Sequence, residues 1–511
     1  MLKGALTVGL WTLASRLFGF LRDILIADRL GAGLIADAFF VALRLPDLFR
    51  RLFGEGAFSA AFVPAFAGAV ATEGARAARR FAEEVMSVMV VWLGAFTLAG
   101  VLFTPALLLV LAPGFVAIPG KFALAVTLTR ITFPYLMLVC LAAAFASILN
   151  GLNRFAAAAA APILFNLCLI AALLFLSPYV PTPGHALAYG VTISGVAQLV
   201  LLAVATHRTG MTLRLFRPRL TPAVKLLLRR IGPGVIGVGV TQINLAVDTI
   251  VASLLGPGSV SVLYYAARVN QLPLGVIGVA VGTALLPTLS RQVHTGARLS
   301  VHRTLNRAIE FTLALTLPAA VGLGVAAVPI IRVLFERGAF GASDARATAA
   351  ALLAYAVGVP ATVLAKVLAP GFFARGDTVT PVSVGVAALV VNIVFIVIFV
   401  APLGATGIAL AASVSAICNA AGLSWLLLRQ RILYLDRALR RRVPRMIVAS
   451  GCMGIVVWQV MQHLPHAHGA LGWLRLAVII LAGLITYGVL GQLLAAFDLR
   501  RVKQRLARAR G

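Results

Sequence analysis

Residues 15–64 read SRLFGFLRDILIADRLGAGLIADAFFVALRLPDLFRRLFGEGAFSAAFVP, and this stretch decides what kind of chain it is. It is apolar enough for a bilayer, yet it carries Arg16, Arg22, Asp23, Asp37, Arg44, Asp47, Arg50, Arg51 and Glu55. Ionisable groups at bilayer depth cost several kcal/mol unless they face a bundle interior or a wet cavity. On helices the spacing is orderly. Arg16 and Asp23 are seven apart, which sets them on one face two turns from each other. Asp37 and Arg44 repeat that spacing, as do Arg44 and Arg51, and Asp47 lies three or four residues from Arg44, Arg50 and Arg51. Two readings stand open. The charges form internal ion pairs that hold helices together, or they line a cationic cavity that receives an anionic head group. Arginine suits the second task, because its planar fork binds phosphate bidentately and keeps its charge.

Composition points the same way. The chain has 511 residues, of which 61% are hydrophobic, and a mean hydropathy of +1.01, which excludes a soluble globular protein and implies a polytopic membrane protein. Lys and Arg outnumber Asp and Glu 44 to 15, for a net charge of +29. The excess sits in short loops between apolar spans, which fits the positive-inside rule and anionic phospholipid better than nucleic acid. Cys140, Cys168, Cys418 and Cys452 fall inside apolar spans and read as small buried hydrophobes. The N-terminal apolar run lacks a small-residue cleavage site and is interrupted by Arg16 and Arg22, so it reads as a retained span.

Windows of about 20 apolar residues fall at roughly 5–28, 34–70, 82–112, 122–149, 156–177, 185–206, 224–255, 260–290, 305–336, 346–373, 380–400, 404–428, 444–463 and 471–497. The expectation is an all-α membrane protein with about fourteen transmembrane helices. The second window is too long for one straight crossing, and Pro46, Gly54 and Gly56 offer places to bend it. Loops alternate in charge. One side carries Arg76, Arg79 and Arg80, then Arg154, the run from Arg208 to Arg230, Arg291 to Arg307, Arg375, Arg429 to Arg445 and the tail Arg500 to Arg510. The other side has PGFVAIPGK, SPYVPTPGHA, GPGS, RGAFGASDA, APLG and QHLPHAHGALG, which are nearly uncharged. That bias puts both termini in the cytoplasm, as an even number of spans requires.

An internal repeat divides the chain. DILIADRLGAG from Asp23 matches DTIVASLLGPG from Asp248 at a constant offset of 225, which carries on to Phe39-Phe40 against Tyr264-Tyr265. The offset spans six helices, so the halves are parallel repeats related by an axis along the membrane normal. The expected organisation is an N-terminal six-helix lobe over 1–206, a basic cytoplasmic linker over 207–223, a second lobe over 224–430, two extra helices over 431–498 and a basic tail over 499–511.

Outside the opening stretch, Arg268 follows the tyrosine pair beside Asn270 and Gln271, and reads as cavity-facing or as snorkelling to an interface. Asp248, Asn392 and Ser413 supply one carboxylate and neutral oxygens, a candidate Na⁺ or H⁺ site or an Asp bonded to neighbouring helices. Lys366 is a further cavity candidate, and Arg375 a loop charge. His463, His466 and His468 are too loosely spaced for a metal site. Gly232, Gly234, Gly237 and Gly239 read as helix-packing glycines. No nucleophile, base and orienting group come together, so no enzyme is expected.

SRLFGFLRD, GAG followed by ADAFFVALRLPDLFRRLFGEGAFSAAFVP, the YYAAR of residues 264–268, GTALLPTLS and KVLAPGFFARGDTVTP closely resemble the MurJ/MviN family of lipid II flippases, within the MOP exporter superfamily. The resemblance covers the whole chain. It implies two six-helix lobes around a central cavity, with two further helices forming a groove for a polyprenyl tail. It also implies flipping of lipid II, the undecaprenyl-pyrophosphate-linked disaccharide-pentapeptide, across the bacterial cytoplasmic (inner) membrane for peptidoglycan and cell-wall biogenesis and cell shape.

By the same motifs the substrate-binding residues would be Ser15, Arg16, Arg22, Arg50 and Arg268, with Asp37 as the partnered acid. Arg44, Asp47, Arg51, Glu55 and Lys366 are further cavity candidates. The chain departs from the pattern at Asp47, where Asn is expected, at Ala267 and Gln271, where acids are common, and at Ile396, where an acid would follow Asn392. Alternating access would need no cofactor, only Na⁺ or H⁺ coupling or the membrane potential, which supplies about 2.3 kcal/mol per charge per 100 mV. The expected form is a monomer in contact with lipid II, anionic phospholipid and cell-wall synthesis proteins. A cation-coupled drug exporter of the same superfamily, a flippase for another polyprenyl-linked glycan and a non-transporting scaffold are the rivals.

Overall fold

A computed structural model describes residues 2–51, 57–295, 297–465 and 469–496. Among them the chain is helical throughout, apart from turns and one isolated bridge between Arg337 and Phe340. The helices are α1 (Leu2–Leu30), α2 (Leu34–Phe49), α3 (Ala57–Thr72), α4 (Ala75–Leu102), α5 (Thr104–Leu111), α6 (Lys121–Thr132), α7 (Pro134–Gly151), α8 (Phe155–Ala171), α9 (Pro183–His207) and α10 (Pro222–Leu254). They continue as α11 (Ser259–His294), α12 (Arg298–Val325), α13 (Ala327–Phe335), α14 (Ala342–Phe373), α15 (Val379–Leu403), α16 (Ala405–Arg429), α17 (Arg437–His463) and α18 (Gly469–Leu493). Every apolar window carries helix, and among the described residues ten helical spans, α6 with α7 counted as one and α8 with the turns after it as another, are long and apolar enough to cross a membrane.

α6 and α7 join through Phe133, whose dihedrals are helical, into one span despite Pro134. Other windows that read as single spans are broken. α4 gives way to α5 at Phe103, just before Pro105. α12 gives way to α13 at Ala326, three residues before Pro329. Proline lacks the N–H that the preceding turn needs, and its ring crowds the carbonyl four residues back. Pro46 acts otherwise: α2 runs through it to Phe49. Gly54 and Gly56, the other expected bends, lie outside the described residues.

The chain forms two compact units. One comprises Met1–Ser261 with Arg337–Phe340, and the other Val262–Glu336 with Gly341 onward. α10 packs on α3, α4 and α5 and belongs to the first unit. The element order repeats. The single-residue break between α4 and α5 recurs between α12 and α13. Of the two glycine pairs that mark the repeat, each has one member that needs glycine: Gly31 has φ +62° against the carbonyl of Ala339, and Gly258 has φ +91° against that of Ala32, whereas their counterparts Gly256 and Gly33 have open space around them. Any side chain would be strained at Gly31 and at Gly258. A methyl group at Gly232 or Gly239 would meet nothing within 4 Å, so these two are not the packing glycines expected.

Each unit also carries a clip. After α9, the strap 208–221 lies on α4: the Arg214 amide donates to Glu83 Oε1 (2.9 Å), the Phe216 amide to Ser87 Oγ (3.1 Å), and Thr221 Oγ1 to Glu84 Oε2 (2.9 Å). After α16, the segment 430–436 lies on α12: Asn306 Nδ2 donates to the Tyr434 carbonyl (2.6 Å) and its Oδ1 accepts from the Asp436 amide (3.4 Å). Glu83 and Asn306 are both the ninth residue of their helices.

In the second unit, α17 and α18 pack on α12 and α13 through Ala326, Ala449, Met453, Val457, Ile479 and Tyr487, and the Tyr487 hydroxyl donates to the Ala314 carbonyl (2.7 Å). A cleft of about 660 Å³, walled by Val321, Gly324, Leu353, Val357, Gly454 and Trp458, opens between α12, α14 and α17.

Candidate functional site

The deepest charge in the first unit is Asp37, in the opening turn of α2, where the helix dipole favours an acid. It is wholly buried. Lys121 Nζ lies 2.8 Å from Oδ2, which also accepts the Gly258 amide at 2.7 Å. Oδ1 accepts the Ser261 amide at 2.8 Å and its hydroxyl at 2.5 Å. Lys121 is buried as fully, its ammonium 4.1 Å from the centre of the Phe115 ring. From sequence, Asp37 is expected to partner an arginine, and Lys121 is counted in a nearly uncharged outer loop. Both expectations are corrected. The carboxylate takes a lysine from α6 and the first turn of α11, contacts that no spacing within α2 encodes.

Arg22 on α1 is also buried. It is fixed by Asp23 Oδ1 (2.6 Å from Nη2, 3.0 Å from Nε) and by Asn166 Oδ1 on α8 (2.9 Å), with its guanidinium 5.3 Å from the Phe165 ring centre. Asn166 in turn donates to the Ser15 carbonyl at 3.0 Å, so Ser15 enters through its backbone. Asp23 thus takes its neighbour Arg22, a contact that the seven-residue spacing to Arg16 does not state, and the Arg16 side chain is exposed.

At the end of α2, Asp47 is shared. Arg50 binds Oδ1 through Nη2 (2.6 Å) and Nε (3.1 Å), and Arg51 binds Oδ2 through Nε (2.9 Å). The group stays open to water, with Arg50 18%, Asp47 27% and Arg51 46% exposed at their side chains. Arg44 reaches Thr249 Oγ1 at 3.2 Å and so brings a guanidinium to the residue next to Asp248. Asp248 is buried in α10. Glu55 lies outside the described residues.

In the second unit Arg268 is half-buried, its guanidinium 5.5 Å from the centre of the Tyr264 ring one turn earlier. Asn392 is wholly buried on α15. Ser413 on α16 donates to the Ala354 carbonyl of α14 (2.6 Å), while Ser415 turns the other way to Ala388 of α15 (2.6 Å). Lys366 on α14 is exposed. Cys140 is buried as expected, but Cys418 is exposed on α16, and the four cysteines are unbridged. His463 bonds the Gln459 carbonyl one turn earlier, and His466 and His468 lie outside the described residues.

The residues missed from sequence are Lys121, Asn166, Thr249 and Ser261. Two left a signal. Lys121 is the single cation in its otherwise neutral loop, and Asn166 the single amide in an otherwise apolar α8. Such exceptions in a membrane segment mark groups with a partner.

A family model described as "Lipid II flippase MurJ" matches residues 26–479. The "Probable lipid II flippase MurJ" of Rhizobium tropici is 41% identical, over 100% of this chain and 97% of its own. Among solved structures, "Lipid II flippase MurJ, inward closed conformation" superposes with a TM-score of 0.80 at 26% identity, covering 95% of this chain and 98% of that one. A multidrug-resistance MATE transporter of the MOP superfamily in its inward-facing conformation gives a TM-score of 0.68 at 16% identity over 83% and 95%, a likeness of fold alone. With the family matched across most of its length, this multi-pass membrane protein belongs to the MurJ family of lipid II flippases.

Proposed function

We propose that the chain flips lipid II across the bacterial cytoplasmic membrane by alternating access between two six-helix lobes, with both termini cytoplasmic. The pyrophosphate would be received by Arg16, Arg22, Arg50 and Arg268. The observation that carries this reading is the Asp47 group. Two arginines gather on Asp47 at a partly open site at the end of an apolar helix, and Arg50 already presents its fork to a carboxylate. A diphosphate offers more acceptor oxygens than Asp47 does. The lipid tail would stay in the bilayer against α17 and α18, whose contact with α12 and α14 leaves the apolar cleft. Flipping moves the lipid without making or breaking a covalent bond in it, so no enzymatic step is needed. A monomer suffices for this cycle, and cell-wall synthesis proteins are the natural neighbours of its product.

Energy would come from the membrane potential or from Na⁺ or H⁺ at Asp248, Asn392 and Ser413. The Arg44 contact at Thr249 places a fixed cation close to Asp248 in the chain and favours the potential. The test is flipping of lipid II in vesicles, with and without ion gradients and an imposed potential, for the parent, Arg50→Lys, Arg50→Ala and Asp248→Asn. Arg50→Lys keeps the charge and loses the fork, so it should impair flipping nearly as much as Arg50→Ala. Full activity in Arg50→Lys would defeat the pyrophosphate reading. Unchanged Na⁺ and pH dependence in Asp248→Asn would assign that carboxylate to structure.

A further inference from the structure

The two clips are alike in their hydrogen bonds and differ in how much of their apolar surface they cover. In the clip on α12, Ile432 and Leu433 are buried in the core of the second unit, with Tyr434 and Leu435 exposed beside them. The strap on α4 buries Met211, but Leu215, Phe216 and Leu220 are 61%, 61% and 57% exposed. Beside them stand Arg214, Arg217 and Arg219, also exposed, and residues 208–221 contain no acid. The acids beneath the strap are already occupied. Glu83 is paired with Arg79 (2.9 Å) and takes the Arg214 amide, and Glu84 is near Arg80 (3.5 Å) and takes Thr221. Arg80 itself is 81% exposed at its side chain.

The backbone is thus pinned while its side chains turn outward as alternating cations and large apolar groups. A segment with nothing to bury would not keep Leu, Phe and Leu in water; one that meets a lipid interface would, with arginines at head-group level. The geometry points to an anionic-phospholipid surface made of strap 208–221 with Arg80, in which Leu215, Phe216 and Leu220 enter the acyl boundary and Arg214, Arg217 and Arg219 bind phosphate-bearing head groups. Nucleic acid is disfavoured because the same patch carries its apolar groups at the tips. The inference rests on the membrane reading of the chain and on no feature of the flipped substrate.

The full chain would be placed in nanodiscs of phosphatidylcholine alone or of phosphatidylcholine with one quarter phosphatidylglycerol. A spin label at Phe216→Cys, with Cys140, Cys168, Cys418 and Cys452 changed to Ala, reports depth; the strap's bond at that residue is from the backbone and is kept. The label should be oxygen-accessible in the phosphatidylglycerol discs and markedly less so in phosphatidylcholine. Co-purified phosphatidylglycerol, weighed against phosphatidylcholine by native mass spectrometry, should fall about fivefold for each of Arg214→Gln, Arg217→Gln and Arg219→Gln. Equal depth in the two lipids, or undiminished phosphatidylglycerol in the triple variant, would overturn the proposal. Neither readout contains lipid II, so this surface and the flippase reading fail separately.

Discussion

Removing either partner of the Asp37–Lys121 pair should destabilise the first unit, and by unequal amounts. Both side chains are fully buried, and a buried pair broken at one end typically costs about 3–5 kcal/mol, because the survivor is an uncompensated charge. Asp37→Asn leaves the Lys121 ammonium with only the Phe115 ring, and it points an amide N–H at donors from Gly258 and Ser261. It should cost the full about 3–5 kcal/mol. Lys121→Met leaves the carboxylate three other donors, so its cost should be nearer the about 1–3 kcal/mol of a lost charged hydrogen bond. In the double variant the orphaned ammonium is gone, and the loss should be well below the sum of the single losses. The assay is thermal inactivation of the monodisperse peak in detergent at one fixed heating rate, run on all four proteins beside membrane abundance. Additive shifts, or Asp37→Asn as stable as the parent, would refute the pairing as the source of stability.

Three other outcomes follow from the same geometry. Cysteines at Arg217 and Arg437 should react with a membrane-impermeant reagent only from the cytoplasm and one at Gly469 only from outside; mixed labelling would sink the orientation. Arg22→Ala takes a buried ion-pair partner from Asp23 and should lower membrane abundance. Adding Asp23→Asn should restore abundance without restoring flipping, whereas restored flipping would make Arg22 a structural residue. Asp377, in the loop before α15, is held below the usual carboxylate range by hydrogen bonds from Thr380, its hydroxyl first and then its amide. That support is present above the ordinary Asp value and is lost as pH falls through the lowered one. Asp377→Ala should therefore lower the inactivation temperature at pH 7 and much less at pH 3, and equal shifts at both would contradict the assignment.

The all-helical membrane architecture and the order of its windows were legible because hydropathy is a sum over neighbours in the chain. The repeat was visible through an acid and two glycines at a constant offset, although only Gly31 in the first copy and Gly258 in the second hold a backbone position that requires glycine. Helix breaks were not, since Pro105 follows a break while Pro46, Pro134 and Pro318 lie in continuous helix, and only the packing of the next turn decides. Charge pairing was the least legible. Spacing within a helix states which residues share a face, and it correctly joined Asp47 to Arg50 and Arg51. It has no means of joining Asp37 to Lys121, 84 residues away, or Arg22 to Asn166, 144 away. Those contacts are chosen by which helices pack together, and a buried charge then accepts whatever donor the packing delivers.

The grip of Asp37 on the start of α11 bears on how the polypeptide could be divided. The basic stretch after α9 looks like the natural place to cut it in two. A fragment ending there would lose α10 and, with it, the Gly258 amide and both Ser261 donors, leaving a sealed carboxylate with Lys121 alone. Such a half would be born with a hole in its hydrogen bonding. A half that runs past Ser261 carries every donor it needs. Split-gene expression, tag insertion or circular permutation of this chain should therefore treat residue 261, not residue 207, as the earliest cut that keeps the donors of Asp37 with it, while Arg337–Phe340 still has to come from the other piece.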